Sequence, residues 1–180
     1  SVVSDAAQSD LVSLNNGHIV LVAGGTVTLG DGTANDGIAG VAGTAVSAAG
    51  TGSILVQATS GDVIVNSDIT SATGHVTLKA AGSVLLGSAT ATGVDVSTAG
   101  TGTVSIDARG GALAMAGDAK IAGASARLHA ASTVTVGNVT ATSVSLVADT
   151  GAIVNAAGST KNVSATTLRL QAGGAIGTAT

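Results

Sequence analysis

Ile54-Leu55-Val56-Gln57-Ala58, then Thr59-Ser60, then Gly61-Asp62-Val63-Ile64-Val65: this stretch decides the fold. It holds two short runs of alternating aliphatic residues separated by Thr, Ser and Gly. A period of two is the period of a β-strand, and Ser and Gly supply turns. Alternation sends Ile54, Val56, Val63 and Val65 to one face and Leu55, Gln57, Asp62 and Ile64 to the other. Upstream, Ile19-Val20-Leu21-Val22-Ala23 precedes Gly25-Thr26-Val27-Thr28-Leu29. Downstream, Val76-Thr77-Leu78-Lys79-Ala80, Val104-Ser105-Ile106-Asp107-Ala108, Ala126-Arg127-Leu128-His129-Ala130, Val144-Ser145-Leu146-Val147-Ala148 and Leu168-Arg169-Leu170-Gln171-Ala172 repeat the first run.

The terminal alanines of these runs, Ala23, Ala58, Ala80, Ala108, Ala130, Ala148 and Ala172, are spaced by 35, 22, 28, 22, 18 and 24 residues. A third apolar position often follows, at Ile69, Val94, Ile121, Val139 and Val163. Three short strands per unit predict a three-sided β-solenoid of about seven coils. The repeat is not a strict hexapeptide array, which favours a right-handed parallel β-helix over a left-handed one. A longer period is superimposed. Ala49-Gly50-Thr51-Gly52 recurs as Ala99-Gly100-Thr101-Gly102, and residues 49–98 and 99–148 share 17 identities, so a pair of units was duplicated together. The whole of 1–180 reads as one repeat domain, with residues 30–48 as a loop insertion; inserted residues in repeat arrays leave as loops on one face, often the binding face.

Composition agrees with an all-β stack. The 180 residues include 27 glycines but no Phe, Tyr, Trp, Pro or Cys, and one Met. Every acid is Asp. A core without aromatics must gain its burial from regular stacking of Val, Ile, Leu and Ala. Disorder needs higher charge and lower apolar content. A net charge of −4, six dispersed basic residues and no aromatic to stack a base argue against nucleic-acid binding. No long unbroken apolar run predicts a transmembrane segment, and Ser1-Val2-Val3-Ser4-Asp5 carries no basic leader.

The segment from Gly52-Ser53-Ile54-Leu55-Val56-Gln57-Ala58 through Gly82-Ser83-Val84-Leu85-Leu86-Gly87, with Leu168-Arg169-Leu170-Gln171-Ala172-Gly173-Gly174-Ala175-Ile176-Gly177, resembles the repeat region of filamentous-haemagglutinin-like proteins. The resemblance covers nearly the whole chain and rests on a degenerate structural pattern. It implies a β-helix shaft of a secreted bacterial surface protein that holds adhesive or effector regions away from the cell. No functional residue carries over, because the matching positions are structural. The expectation is therefore a structural or adhesive segment at the bacterial cell surface, without enzymatic activity, cofactor or metal. Neither end reads as a polar cap, so the expected partners are further repeats of a longer chain or other copies joined end to end, with a host, neighbour-cell or glycan ligand as a further partner.

Several residues bear weighing as sites. Lys79, Asp107 and His129 occupy one outward position in three consecutive units, with Thr77, Ser105 and Arg127 beside them. Read as chemistry, Asp107 is an acid or base flanked by the cations Lys79 and Arg127, as in a polysaccharide-cleaving or carbohydrate-binding β-helix. Read as structure, they form a ladder of surface charges. A glycosidase needs two placed carboxylates, and the ladder offers one, so the structural reading is preferred. Asp31, Asn35 and Asp36 sit among glycines but miss the spacing of a calcium loop. The Thr pairs Thr26/Thr28, Thr90/Thr92, Thr133/Thr135 and Thr140/Thr142 are too interrupted for an ice-binding ladder. His18 and His75 precede the first strands of their units without Cys or carboxylate companions, which gives no metal site. Asn138-Val139-Thr140 and Asn162-Val163-Ser164 are glycosylation sequons.

Overall fold

A computed structural model describes residues 11–30, 43–89, 91–157 and 161–177. All regular structure among them is β-strand, and every pairing is parallel. The first strands of the repeat are β2 (Ile19–Ala23), β5 (Ile54–Ala58), β8 (Val76–Ala80), β11 (Thr103–Ala108), β13 (Lys120–Ala130), β15 (Asn138–Ala148) and β18 (Thr167–Ala172). The second strands are β3 (Val27–Leu29), β6 (Val63–Val65), β9 (Val84–Leu86), β12 (Leu113–Met115), β14 (Val134–Val136) and β16 (Ile153–Asn155). The third are β1 (Leu11–Ser13), β4 (Thr44–Ala48), β7 (Asp68–Ser71), β10 (Asp95–Thr98) and β17 (Val163–Ser164).

Register aligns like with like. Ile19, Ile54, Val76, Val104, Ala126, Val144 and Leu168 form one column, and Leu21, Val56, Leu78, Ile106, Leu128, Leu146 and Leu170 a second. The seven alanines that end these runs form a third. Away from the first and last layers these inward side chains are buried, while Leu55, Thr77, Ser105 and, apart from Val147, their outward neighbours are not. Each buried Val, Leu or Ile contributes roughly 1.5–3 kcal/mol of transfer free energy. Regular columns thus supply the core that aromatics supply elsewhere.

The three-sided β-helix expected from the sequence is not the architecture. Among the described residues the strands fall into two sheets. One has six strands, in the order β16-β14-β12-β9-β6-β3, and the other has twelve. The longer path, β1-β4-β7-β10-β13-β11-β8-β5-β2, holds nine parallel strands that wrap about 296° around an axis. This nearly closed sheet is more like that of a parallel α/β-type barrel, though no helix accompanies it among the described residues.

The reason lies in the number of residues spent at one corner. From the column of Leu11, Val46, Ile69 and Val96 to that of Ile19, Ile54, Val76 and Val104, the chain takes eight, eight, seven and eight residues. From Ile121 to Ala126, Val139 to Val144 and Val163 to Leu168 it takes five. The longer segments have room to turn, and Gly50 (φ 58°) and Gly100 (φ 59°) do so in the left-handed region that glycine tolerates. The shorter segments have no such room. The eleven-residue strands β13 and β15 run straight through, so β13 pairs with β10 by its first half and β11 by its second.

Two boundaries also differ from expectation. The buried partner of Ile69 and Ile121 is Val96, not Val94. Of the segment read as a loop over 30–48, Thr44–Ala48 is the strand β4, paired with both β1 and β7; residues 31–42 lie outside the described residues.

A column of glycines holds the turning corner tight. A Cβ on Gly52 would land on the Gly17 carbonyl oxygen, one on Gly74 on that of Gly52, and one on Gly102 on that of Gly74. The buried hydroxyls of Ser71 and Thr98 donate to the Gly52 and Gly74 carbonyls at 2.7 and 2.6 Å. Buried carbonyls at this corner are thereby satisfied rather than stranded.

Candidate functional site

The outward position next to the alanine column reads Gln57, Lys79, Asp107, His129, Val147 and Gln171 through successive strands. Strand pairing sets Asp107 on β11 directly beside His129 on β13. His129 Nδ1 lies 2.7 Å from Asp107 Oδ1, and its Nε2 lies 3.0 Å from Asp149 Oδ2. Arg109 Nε donates to Asp107 Oδ2 at 3.1 Å. An imidazole thus bridges two carboxylates across three layers, and a guanidinium closes one end. Carboxylates only accept, so a doubly protonated ring donates to both and a neutral ring to one.

Asp107 and His129 are 17% and 19% exposed at the side chain, whereas Asp149 is 52% exposed. Burial is the largest influence on the Asp107 carboxyl and pushes it up. The hydrogen bonds and charges of His129 and Arg109 together outweigh it, and the carboxyl is held below the ordinary 3.8. The folded state therefore binds this proton less readily than the unfolded chain. Its stabilisation is in place above pH 3.8 and fades as pH falls through the lower folded value. Asp107→Asn should cost about 1 kcal/mol at pH 6, near the upper end for partly exposed pairs, and the deficit should shrink below pH 3.8. Urea melts at both pH values read it, and a deficit that widens on acidification would contradict the pairing.

The structure joins Asp107 and His129 as neighbours but gives Asp107 partners other than the two cations expected. Its partners are His129 and Arg109, not Lys79 or Arg127. Arg109 and Asp149 were missed because both lie just past the terminal alanines Ala108 and Ala148, outside the alternating run. The signal was available: the residue after that alanine pairs with the layer below, as Arg109 N donating to Ala80 O and Asp149 N to Ala130 O show.

The other residues resolve into structural roles. His18 Nδ1 accepts the Ser53 N–H at 2.9 Å, and His75 Nδ1 lies 2.9 Å from Thr103 Oγ1, so each ring ties one layer to the next. The amide of Asn138 donates to Gly117 O at 3.1 Å, and that of Asn162 to Val136 O at 2.7 Å. Both sequon side chains are thus engaged with backbone. Asp31, Asn35 and Asp36 lie outside the described residues. No group of three or more His, Asp or Glu side chains among the described residues is arranged to hold a metal ion.

A second polar column runs through Asp68, Asp95 and Lys120. Asp68 Oδ1 accepts the Asp95 N–H at 2.8 Å, and Lys120 Nζ stands 3.7 Å from Asp95 Oδ2. Burial, then the charge of Asp95, raises the Asp68 carboxyl above 3.8, against the opposing Asp95 N–H and Lys120. Here the folded state holds the proton more readily, so stability falls as pH rises through the window just above 3.8. Asp68→Asn keeps the acceptor and removes the charge. It should melt higher than the parent at pH 7 and lose that gain below pH 3.8; a lower melting point at pH 7 would show that the charge is useful where it stands.

Two surface cavities accompany these columns. One, of about 610 Å³, follows the straight-through strands and is lined by Thr98, Gly123, Thr140, Thr142, Ser164 and Thr166 among others. The other, of about 790 Å³, includes Ser88, Asp118, Lys120 and Asn138. The Asp107–His129–Asp149 bridge lines neither.

No family model, characterised protein or solved structure matches the chain.

Proposed function

We propose that this chain is a structural or adhesive segment of a secreted bacterial cell-surface protein, serving as scaffold rather than as catalyst. The observation that carries the reading is the in-register column from Ile19 to Leu168, in which each repeat buries its aliphatic residues against the next. Such a unit extends by adding copies of itself, with neighbours as its chief partners. The resemblance of Gly52–Ala58 and Leu168–Gly177 to filamentous-haemagglutinin-like repeats supports the surface location. The segment 31–42 is the candidate for contact with a host or neighbouring cell. Antibody labelling of intact against permeabilised producing cells tests the location. Labelling of intact cells is expected; signal only after permeabilisation would remove the proposal.

The Asp107–His129–Asp149 bridge favours a second reading, recognition or cleavage of a carbohydrate by the outer face. Asp107 and Asp149 would be the two carboxylates such chemistry needs. Binding to acidic polysaccharides that is lost in Asp107→Asn would move this reading to first place.

A further inference from the structure

The large apolar side chains left exposed among the described residues are Val12, Leu14, Val20, Val22, Leu168, Leu170 and Ile176. All of them belong to the first or the last layer. The intervening layers, whose sequence is no less apolar, expose none. In the last layer, Leu168, Leu170 and Ile176 head columns whose preceding members, Val144, Leu146 and Ile153, are buried. In the first layer, Ile19 and Leu21 begin the columns of Leu168 and Leu170 and are only half buried, as is Leu11, which begins the column that ends at Val163; Val27, which begins that of Ile176, is buried. The backbone is open there too. Among the described strands, β1, β2 and β3 pair only with β4, β5 and β6, and β17 and β18 only with β15. Open parallel edges with apolar flanks invite another chain.

We infer that a second copy of this chain seats its first layer on the last layer of the first copy, in parallel and in the internal register. Leu168 then meets Ile19, Leu170 meets Leu21, Ala172 meets Ala23, Val163 meets Leu11, and Ile176 meets Val27. The two ends complete the columns that each end interrupts. The mismatch at the corner, five residues below and eight above, already has a precedent inside the molecule. There, β10 and β11, with eight residues between Val96 and Val104, pack on β13, with five between Ile121 and Ala126. The contact is heterologous, so it adds copies without closing. It rests on the scaffold part of the proposed function but not on the cellular location. Surface-labelled but monomeric protein would end this inference alone, and assembling protein found only inside cells would end the location alone.

The test caps one end at a time. Leu170→Asp places a charge in the last layer, and Leu21→Asp places one in the first. In sedimentation velocity over a hundredfold concentration range, the parent should show a ladder of species spaced by one chain mass. Each variant alone should remain monomeric, and a mixture of the two should form a dimer and nothing larger, because each retains the end the other has lost. A parent that stays monomeric, or a folded pair of variants that fails to dimerise on mixing, would overturn the proposal. So would a Leu21→Asp chain that still dimerises alone, which would mean last layers meeting each other. Circular dichroism checks that each variant folds. Should one not, hydrogen exchange of the parent decides: the amides of β2 and β18 should gain protection together as concentration rises, and concentration-independent exchange would refute the contact.

Discussion

Gly74→Ala should destabilise the protein by about 3 kcal/mol, the upper part of the range for forcing atoms into a packed interior. The added Cβ would sit on the Gly52 carbonyl oxygen, 2.5 Å from the carbon that carries it and 2.8 Å from the Thr51 oxygen. These are backbone atoms of the adjoining layer and cannot rotate aside as a side chain would. Gly52 is itself seated against Gly17, and Gly102 against Gly74, so a shift at one level is passed to its neighbours. Gly25→Ala is the control, since nothing lies within 4 Å of the new methyl. Urea denaturation of both variants reads the contrast, and equal midpoints would show that the corner yields.

Leu128→Ala should cost about 2–5 kcal/mol, through lost transfer energy and the cavity that remains. Leu128 is fully buried between Ile106 and Leu146 in the same column. Leu170→Ala removes the same atoms two layers on, where the side chain is 38% exposed. In dilute protein that change should cost well under half as much, since water already reaches the site. Equal losses in chemical denaturation would mean that the last layer is covered at those concentrations.

What the sequence disclosed was whatever depends on nearest neighbours along the chain. Alternation placed β5, β8 and β18 with their inward and outward residues, because a period of two is a local property. It also exposed the alanine column, since only a small side chain recurs at that position. How strands join into sheets depends instead on the residues spent between columns. The spacings of the alanines conceal this number: Ala58 to Ala80 and Ala108 to Ala130 are both 22 residues, yet the first segment turns at Ala72–His75 and the second runs straight through Gly123. The residues missing from the second corner reappear as a longer loop, Ala116–Ala119, before β13. The candidate site followed the same rule. Asp107 and His129 lie on the alternating run and were visible there. Arg109 and Asp149 reach them from turns, where side-chain direction follows backbone geometry that no period encodes.

The change from eight residues to five at one corner makes the two ends of the molecule unlike in backbone path. The first layer turns between the columns of Leu11 and Ile19, and the last runs from Val163 to Leu168 in five residues, so the ends are distinguishable by fold as well as by sequence. A column of copies would change its corner wherever a first layer rests on a last one, recurring once per chain. Such an assembly has an arrow built into its backbone, and a map that traced the main chain would reveal both the direction of growth and the length of the unit without reference to any side chain.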